Sequence, residues 1–371
     1  SQTITFAAIP AQMVGTPLTL TATASSSLAV SFASTTPSVC TVSGTTATFL
    51  AAGTCSITAS QAGNSTYAAA TSVTQSFTVN AAASKITLQF ASTQLVYPGA
   101  TNVTVCVASG TNTPATGSVK IYDGSTLLTT LSLGSNGCAT WYISPGLNAG
   151  THVITAVYSG DSNNPPGTSA ATTLTVSPVP VSMSASCWNA SFSYGGNYEC
   201  TVSMSSNAGA PLGSITYSLD GGTAVTVPLS TGNAQFTIIE PTAGNHQVVI
   251  AFAQQTNYAA AASQTETFTV TPAPVNVALT PSSWYASTGT NISFAVAVTS
   301  WSAGPPDTTG TVSFYDGTSL LATVPVNASG QATYSTSGLS VGTHNITASY
   351  AGSSNYASGS DTITITIHAG S

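Results

Sequence analysis

Residues 310–317 read Gly-Thr-Val-Ser-Phe-Tyr-Asp-Gly, and Thr-Ser-Leu-Leu-Ala-Thr-Val-Pro-Val follows directly. Polar and apolar residues alternate on both sides of Asp316-Gly317, which predicts that Val312 and Phe314 face a core. An Asp-Gly pair between two alternating runs is a strong signal for a β-hairpin, because both turn positions need positive φ. Similar stretches begin at residues 117 and 213, so the three starts indicate an internal repeat of about 96 residues.

The composition is nearly free of charge. Only 3% of the 371 residues are charged, against about 25% in typical soluble proteins. Lys85 and Lys120 are the only lysines, arginine is absent, nine residues are acidic, and 55 serines and 63 threonines supply hydroxyl groups. Since 42% of the residues are hydrophobic, we expect a folded chain of several domains.

The low charge excludes several classes of partner. A nucleic-acid-binding protein needs a basic surface that releases counterions from phosphates, and two lysines cannot supply one. Binding to an anionic membrane surface fails for the same reason. The sequence has no long apolar run that could form a transmembrane helix and no signal peptide, so we expect neither nucleic-acid binding nor membrane insertion.

A second segment repeats together with the hairpin. Gly150–Tyr158 reads Gly-Thr-His-Val-Ile-Thr-Ala-Val-Tyr and matches Gly342–Tyr350, which reads Gly-Thr-His-Asn-Ile-Thr-Ala-Ser-Tyr. Weaker copies start at Gly244 and Gly53. Each repeat contains about seven short strands with turns roughly every 8–12 residues, which is typical of an immunoglobulin-like sandwich.

We therefore predict an all-β chain without helices. It should form four tandem immunoglobulin-like β-sandwich domains of about seven strands each, over residues 1–82, 83–178, 179–272 and 273–371. The joints at 177–181 and 271–275 are rich in proline, which predicts stiff, extended spacers between domains.

The repeats also resemble a known family. The second and fourth repeats resemble the bacterial Ig-like repeats of group 3, which are marked by the Phe-Tyr-Asp-Gly hairpin and the Gly-Thr-His-x-Ile-Thr-Ala-x-Tyr strand. The first repeat resembles a related type, through Pro37-Ser-Val-Cys-Thr-Val, Ala52-Gly-Thr-Cys-Ser-Ile-Thr-Ala and Asn64-Ser-Thr-Tyr67. The resemblance implies tandem domains of large secreted and cell-surface proteins, such as stalks and adhesins.

The cysteines fall into one pair in each of the first three repeats: Cys40/Cys55, Cys106/Cys138 and Cys187/Cys200. The spacings contain no Cys-x-x-Cys motif of zinc ribbons or thioredoxin-type proteins. We interpret the pairs as structural disulfides formed in an oxidising compartment, which predicts an extracellular or cell-surface location. Free thiols buried as small core residues are the alternative.

Strand register predicts where two of these pairs lie. In the second repeat, alternate valines should point inward, which leaves Cys106 pointing outward beside Cys138 on the neighbouring strand. We therefore predict a cross-strand surface disulfide there. In the third repeat, Cys200 should point inward and pair with Cys187, which lies ahead of its strand.

The acidic residues show no paired carboxylates of the kind that glycosidases use. The three hairpin aspartates, Asp123, Asp220 and Asp316, are interpreted as turn residues. Asp161 is an isolated loop acid, and a weak calcium site that it forms with Asn163 and Asn164 is the alternative to a structural role.

The histidines are equally spaced. His152, His246 and His344 open the same strand in successive repeats, too far apart to converge on one metal. We expect each to have a structural role, such as bonding a loop carbonyl. We predict no catalytic, cofactor-binding or metal-binding residues, no cofactor and no enzymatic activity.

Loop aromatic residues are the best candidates for ligand binding. Trp188 and Trp284 are predicted in the loop after the first strand of their domains, and Trp301 follows the second strand of the last domain. Exposed aromatic rings stack on sugars, so Trp284, Tyr285 and Trp301 form a candidate glycan-binding platform. Packing between domains is the alternative.

Two strands with almost no charge suggest assembly. Edge strands usually carry charges that prevent pairing with other chains, but residues 2–6 have none and residues 360–368 have one, at Asp361. Such edges could accept a strand from another copy. The predicted function is a non-enzymatic extracellular structural protein: a rod-like stalk, or a fibre or filament subunit of a bacterial cell surface that self-associates head-to-tail or by edge-strand pairing. The alternative is an adhesin or carbohydrate-binding module that binds surface glycans through loop aromatics.

Overall fold

The computed structural model describes residues 1–109, 113–143 and 146–370, and the regular secondary structure in these ranges consists of β-strands. In these ranges no helix is long and apolar enough to cross a membrane. The chain divides into two compact units, Ser1–Val179 and Pro180–Ser371. Each unit contains two successive β-sandwiches, which confirms the predicted all-β, immunoglobulin-like fold.

The first unit contains strands β1 to β18. The first sandwich has β1 (Ile4–Phe6), β2 (Gln12–Met13), β3 (Leu18–Thr19), β4 (Ala22–Ala24), β5 (Ser31–Ser34), β6 (Cys40–Ser43), β7 (Thr46–Phe49), β8 (Gly53–Ser60) and β9 (Val73–Asn80). The second has β10 (Lys85–Phe90), β11 (Gln94–Val96), β12 (Thr101–Ala108), β13 (Ser118–Asp123), β14 (Thr126–Ser132), β15 (Cys138–Ile143), β16 (Gly150–Tyr158), β17 (Gly167–Thr168) and β18 (Thr172–Ser177). Ser144 and Ser371, which fall within the second and fourth predicted domains, lie outside the described residues.

The second unit contains strands β19 to β34. The third sandwich has β19 (Val181–Trp188), β20 (Ser191–Ser193), β21 (Asn197–Ser206), β22 (Ser214–Leu219), β23 (Val225–Pro228), β24 (Asn233–Ile239), β25 (Gly244–Phe252) and β26 (Ala261–Thr271). The fourth has β27 (Val275–Pro281), β28 (Tyr285–Ser287), β29 (Ile292–Ser300), β30 (Thr311–Asp316), β31 (Ser319–Pro325), β32 (Gln331–Thr336), β33 (Gly342–Tyr350) and β34 (Gly359–His368).

The fourth sandwich shows the common plan. One sheet has the strand order β27-β29-β32, and the other has β28-β34-β33-β30-β31. The core between them contains the fully buried rings of Phe294, Phe314 and Tyr350. The second and third sandwiches repeat this plan, whereas the first divides its strands among the sheets β1-β4, β3-β7-β6 and β2-β9-β8-β5.

The hairpin that marks the repeat is present, but its turn is shifted by one residue. β30 and β31 pair from Thr311↔Pro325 to Asp316↔Ser319, so Asp316 is the last paired residue and Gly317 begins the loop, with a φ of 57°. Only in the third domain do both residues of the Asp-Gly pair, Asp220 and Gly221, have positive φ, at 50° and 70°. The carboxylate of Asp316 therefore belongs to a strand end, where it can reach a neighbouring strand.

The last strand is not the open edge that the sequence suggested. In each sandwich a strand of two or three residues, absent from the sequence prediction, pairs in parallel with the final strand. In the fourth domain Tyr285 pairs with Thr366 and Ser287 with His368, and the Leu279 N–H donates to Asp361 Oδ2 at 2.8 Å. The expectation that residues 360–368 offer a free edge is wrong at these positions, because the first strand switches sheets and covers them.

All three predicted disulfides are present. Cys106 and Cys138 face each other on β12 and β15, half-buried beside buried valines, as a cross-strand bridge. Cys187 and Cys200 lie opposite each other on β19 and β21, and Cys200 is buried. Cys40–Cys55 lies in the core and joins β6 of one sheet to β8 of the other.

Neighbouring strands are also joined by hydroxyl pairs on their exposed faces. The oxygen atoms lie 2.8–3.2 Å apart in Ser56–Ser76, Thr58–Thr74, Thr104–Thr140, Ser313–Thr323 and Thr347–Thr362. These pairs take the place that cross-strand ion pairs occupy in more highly charged sheets.

Candidate functional sites

Each of the last three domains contains a histidine–aspartate pair. The histidine is the third residue of β16, β25 or β33, and the aspartate comes from the hairpin. The distances between His Nδ1 and Asp Oδ2 are 2.7 Å for His152–Asp123, 2.8 Å for His246–Asp220 and 2.6 Å for His344–Asp316. The pair thus joins the hairpin to the loop that opens the histidine's strand.

The second ring nitrogen also faces an acceptor. His Nε2 lies 2.9 Å from the Asn148 carbonyl oxygen, 2.6 Å from that of Thr242 and 2.8 Å from that of Ser340 in the three domains. The expected bond to a loop carbonyl is therefore present. A neutral imidazole has one N–H and can satisfy only one acceptor, whereas the protonated ring donates to both.

Protonation is favoured accordingly. Burial lowers the pKa of His344, but the hydrogen bonds to the Ser340 carbonyl and the Asp316 carboxylate outweigh it, so the pKa lies above 6.5. The pKa of His152 and of His246 is raised in the same way. Burial raises the pKa of Asp220, but bonds from the Gln247 N–H and His246 bring it below its ordinary value.

These pairs are structural clamps. A histidine acting as a general base must present a free nitrogen to the proton that it removes, and here both nitrogens are engaged. The sequence reasoning treated the aspartates as turn residues and missed the pairing. The signal was available, because Asp-Gly and Gly-x-His occur together in all three repeats.

Asp161 closes a loop. Its Oδ1 accepts the N–H groups of Asn163 and Asn164, both at 2.8 Å, and its Oδ2 accepts the Thr116 N–H at 2.8 Å. Burial raises the pKa of Asp161, but these bonds outweigh it and hold the pKa far below its ordinary value. The carboxylate oxygens are occupied by N–H donors, so the alternative of a calcium site gains no support. Across residues 1–109, 113–143 and 146–370 no three His, Cys, Asp or Glu side chains are grouped to hold a metal ion.

The candidate glycan platform is divided between two places. Trp284 and Tyr285 are 50% and 72% exposed and adjoin a shallow cavity of about 770 Å³. Trp301 is 92% exposed and follows Ser300, which pairs with Val275 at the start of the domain. Trp284 lies nine residues after Val275, on the order of 30 Å along an extended chain. Trp301 therefore does not share a surface with the other two.

Trp188 is not a loop residue, in contrast to the prediction. It is the last residue of β19 and pairs with Glu199. The strand is longer than the sequence suggested because Cys187 is held opposite Cys200 next to it.

The proline-rich joint inside the second unit is packed rather than a free spacer. Ala273 is fully buried, its N–H donates to the Asn355 carbonyl at 2.8 Å, and its carbonyl accepts the Ala357 N–H at 2.9 Å. Tyr356 is 5% exposed and packs edge-on against Tyr194 of the third domain, with ring centroids 5.5 Å apart. The loop between β33 and β34 thus hydrogen-bonds the joint at Ala273 and also contacts the third domain at Tyr194.

The same loop also holds the turn that opens β25. The Ala243 N–H donates to Asn355 Oδ1 at 2.9 Å. The first unit has the corresponding contact, in which the Ala52 N–H donates to Asn163 Oδ1 at 3.3 Å. Both units therefore join their domains through an asparagine in one loop and an alanine N–H in the preceding domain.

Comparison with known proteins agrees with this architecture. A family model described as the bacterial Ig-like domain (group 3) matches residues 88–177, 187–271 and 278–368. No curated protein sequence matches the chain.

Three solved structures are similar to this chain at low sequence identity. The tetra-tandem repeat in the extending region of a large adhesion protein is 16% identical, with 100% of this chain and 99% of that chain covered and a TM-score of 0.45. The Escherichia coli adhesin FdeC is 16% identical, with 77% and 96% covered and a TM-score of 0.27. The Yersinia pseudotuberculosis adhesin InvE is 16% identical, with 49% and 58% covered and a TM-score of 0.30.

Proposed function

The chain belongs to the bacterial Ig-like domain family (group 3), and from this we propose that it is a non-enzymatic structural protein of the bacterial cell surface or extracellular space. It acts as a rod-like stalk or as the subunit of a self-assembling fibre. The observation that carries the proposal is the packed joint, in which Ala273 is buried and Tyr356 contacts Tyr194. A joint that packs two neighbouring domains against each other is suited to spacing and bearing load.

An extracellular location is supported by the disulfides and the surface. Disulfides persist in oxidising compartments and are rare in the cytosol, and each of the first three repeats has one. Only 3% of the residues in the chain are charged, so the interactions of its surface should change little with ionic strength, because salt screening acts on charges.

The proposed domains are residues 1–82, 83–178, 179–272 and 273–371. Strand pairing supports these limits, since the strands of each sandwich pair within one range. Hydrogen exchange of the full chain in increasing urea tests them. Amides within one range should lose protection together, and a cooperative unit that ends within a sandwich would contradict them.

Electron microscopy tests the proposed function. Negative-stain images of the 371-residue chain should show elongated particles of uniform length, which join end to end as the concentration rises if the chain is a fibre subunit. The Tyr194→Ala variant serves as a matched control and should give bent particles, because the joint loses its ring contact. Compact particles of the native chain at every concentration would contradict both the stalk and the fibre.

A second function, carbohydrate binding or adhesion, is favoured by one observation. The exposed rings of Trp284 and Tyr285 adjoin a cavity lined by the hydroxyl groups of Ser282, Ser283 and Thr364. A glycan array should then show binding that Trp284→Ala abolishes and Trp301→Ala leaves intact. Absence of any glycan hit would remove this candidate.

A further inference from the structure

We propose that the loop at Thr66-Tyr67 of the first domain docks onto the turn at Val341-Gly342 of a second copy of this chain. This contact between copies would have the same form as the joint between the two domains of each unit. It rests on the proposal that the chain is a fibre subunit, and it locates the interface between successive subunits.

The first domain contains the docking loop in the same conformation as the fourth. In the fourth domain the Ser353 N–H donates to the Tyr356 carbonyl at 2.9 Å, and in the first the Asn64 N–H donates to the Tyr67 carbonyl at 2.8 Å. The glycine that precedes each donor, Gly352 or Gly63, has a φ of 82°. Thr66 and Tyr67 therefore occupy the positions of Asn355 and Tyr356.

The segment ahead of the first strand also bonds the loop, but through a side chain instead of the backbone. Gln2 lies two residues before β1, as Ala273 lies two residues before β27, and both are buried. Gln2 Nε2 donates to the Ala68 carbonyl at 2.8 Å, at the position where Ala273 contacts Ala357. The loop of the first domain is thus already ordered for docking. Its ring is uncovered, since Tyr67 is 39% exposed whereas Tyr356 is 5% exposed.

The fourth domain contains the receiving half. Gly342 opens β33 with a φ of 144°, matching 148° at Gly244 and 145° at Gly53. Val341 therefore occupies the position of Ala243 and Ala52, whose N–H groups bind the docking loop. Val341 is 58% exposed, so its side chain and the turn are accessible to a second molecule.

A neighbouring glycine agrees with this assignment. Gly195 touches the next domain so closely that an added Cβ would lie 1.9 Å from the Ser302 carbonyl oxygen. Gly289 holds the same place in the fourth domain, two residues after the end of the short strand, and an added Cβ there would meet open space. The fourth domain thus retains the close-approach glycine of a joint while no described residue fills it.

The two halves are chemically compatible. The Thr66 hydroxyl replaces the Asn355 amide as the acceptor for the turn N–H. The Tyr67 ring would lie against Val341 and Thr288. Thr288 occupies the position that Tyr194 has in the third domain, because the N–H group of each donates to the carbonyl of the last residue in its domain's final strand, at 2.9 and 2.8 Å. One loop and one turn form a contact smaller than the roughly 1,000 Å² of a stable interface, so the association should be weak and dependent on concentration.

Cysteine trapping of the full chain tests the contact. All six native cysteines are in disulfides, so a new thiol reacts alone with a short bis-maleimide. A mixture of the Thr66→Cys and Val341→Cys variants should give cross-linked dimers at high concentration, several-fold more than a mixture of Thr66→Cys with Thr299→Cys. Thr299 is an exposed residue of β29 and serves as the control. It pairs with Asn276, at the other end of the fourth domain.

A further substitution separates docking from random collision. Tyr67→Asp, added to Thr66→Cys, should reduce the yield several-fold while the thermal unfolding curve stays the same, because Tyr67 is largely outside the core. A yield equal to the Thr299→Cys control, or one that Tyr67→Asp does not change, would overturn the proposal. Electron micrographs of the same samples separate the hypotheses: fibres without the Thr66–Val341 cross-link would reject this interface and retain the fibre, whereas neither fibres nor cross-link would reject both.

Discussion

Replacing Asp316 with asparagine would remove the negative charge from the pair with His344 and leave an oxygen in its place. A hydrogen bond to a charged group contributes about 1.5–3 kcal/mol and a neutral one about 0.5–1.5 kcal/mol. The Asp316 side chain is 26% exposed and that of His344 8%, so solvent screens the pair only in part. We expect Asp316→Asn to lower the free energy of unfolding of the fourth domain by about 1–1.5 kcal/mol where His344 is protonated.

The effect should depend on pH in a defined direction. The pKa of His344 is raised by folding, so its stabilising contribution is complete below the unfolded value of 6.5 and is lost as the pH rises through the folded pKa. The native protein should therefore become less stable above pH 6.5. The variant should lose less over the same range, and the difference between the two should shrink in alkaline solution.

Two measurements on the full chain test this reasoning. Urea unfolding at acidic and alkaline pH can be followed through the methyl resonances of Val312 and Ile346, which are fully buried in the fourth domain. Glu199→Gln removes the same charge from an exposed strand position and should have little effect at either pH. The imidazole resonances of His344 give its pKa directly, and a value at or below 6.5, or an equal loss at both pH values, would refute the clamp.

Three other perturbations address single features. Replacing both Cys187 and Cys200 with alanine should lower the unfolding free energy of the third domain by about 3 kcal/mol, since the disulfide closes a loop of 13 residues. Urea unfolding followed through third-domain resonances measures this loss, and an unchanged midpoint would show that the disulfide does not constrain the chain. Tyr194→Ala should let the third and fourth domains tumble separately in NMR relaxation, because an aromatic contact contributes about 0.5–1.5 kcal/mol; unchanged relaxation would show that the joint does not need the ring. Asp161→Ala should destabilise the second domain by on the order of 3 kcal/mol, because its N–H partners lose their acceptor. Trypsin reports this unfolding, since both lysines lie in that domain, and cleavage at the native rate would contradict it.

The features that recur locally could be predicted from the sequence. Alternating residues around Val312 and Phe314 predicted two paired strands with buried side chains, and the register of the strands that carry Cys106 and Cys138 predicted a cross-strand bridge. Alternation is a local consequence of strand geometry, so it is readable without tertiary information.

The features that were missed depend on pairings distant in sequence. β28 has three residues and no alternation to detect, and it forms only because β34 offers an edge. His344 and Asp316 meet because β30 and β33 are neighbours in one sheet, a fact that lies outside either motif. The separation of Trp301 from Trp284 likewise follows from strand direction, which brings one residue to each end of the domain.

The hydroxyl pairs between strands have a consequence for a protein that meets dry or freezing surroundings. Each hydroxyl in a pair such as Thr58–Thr74 or Thr347–Thr362 can donate or accept, so the bond can reverse direction without movement of a heavy atom. Such a pair satisfies itself when water is withdrawn, whereas a lysine or a glutamate would be left with a charge and a counterion. The face of the sheet therefore holds its own hydrogen bonds in the absence of solvent, and rehydration requires no ions to be redistributed.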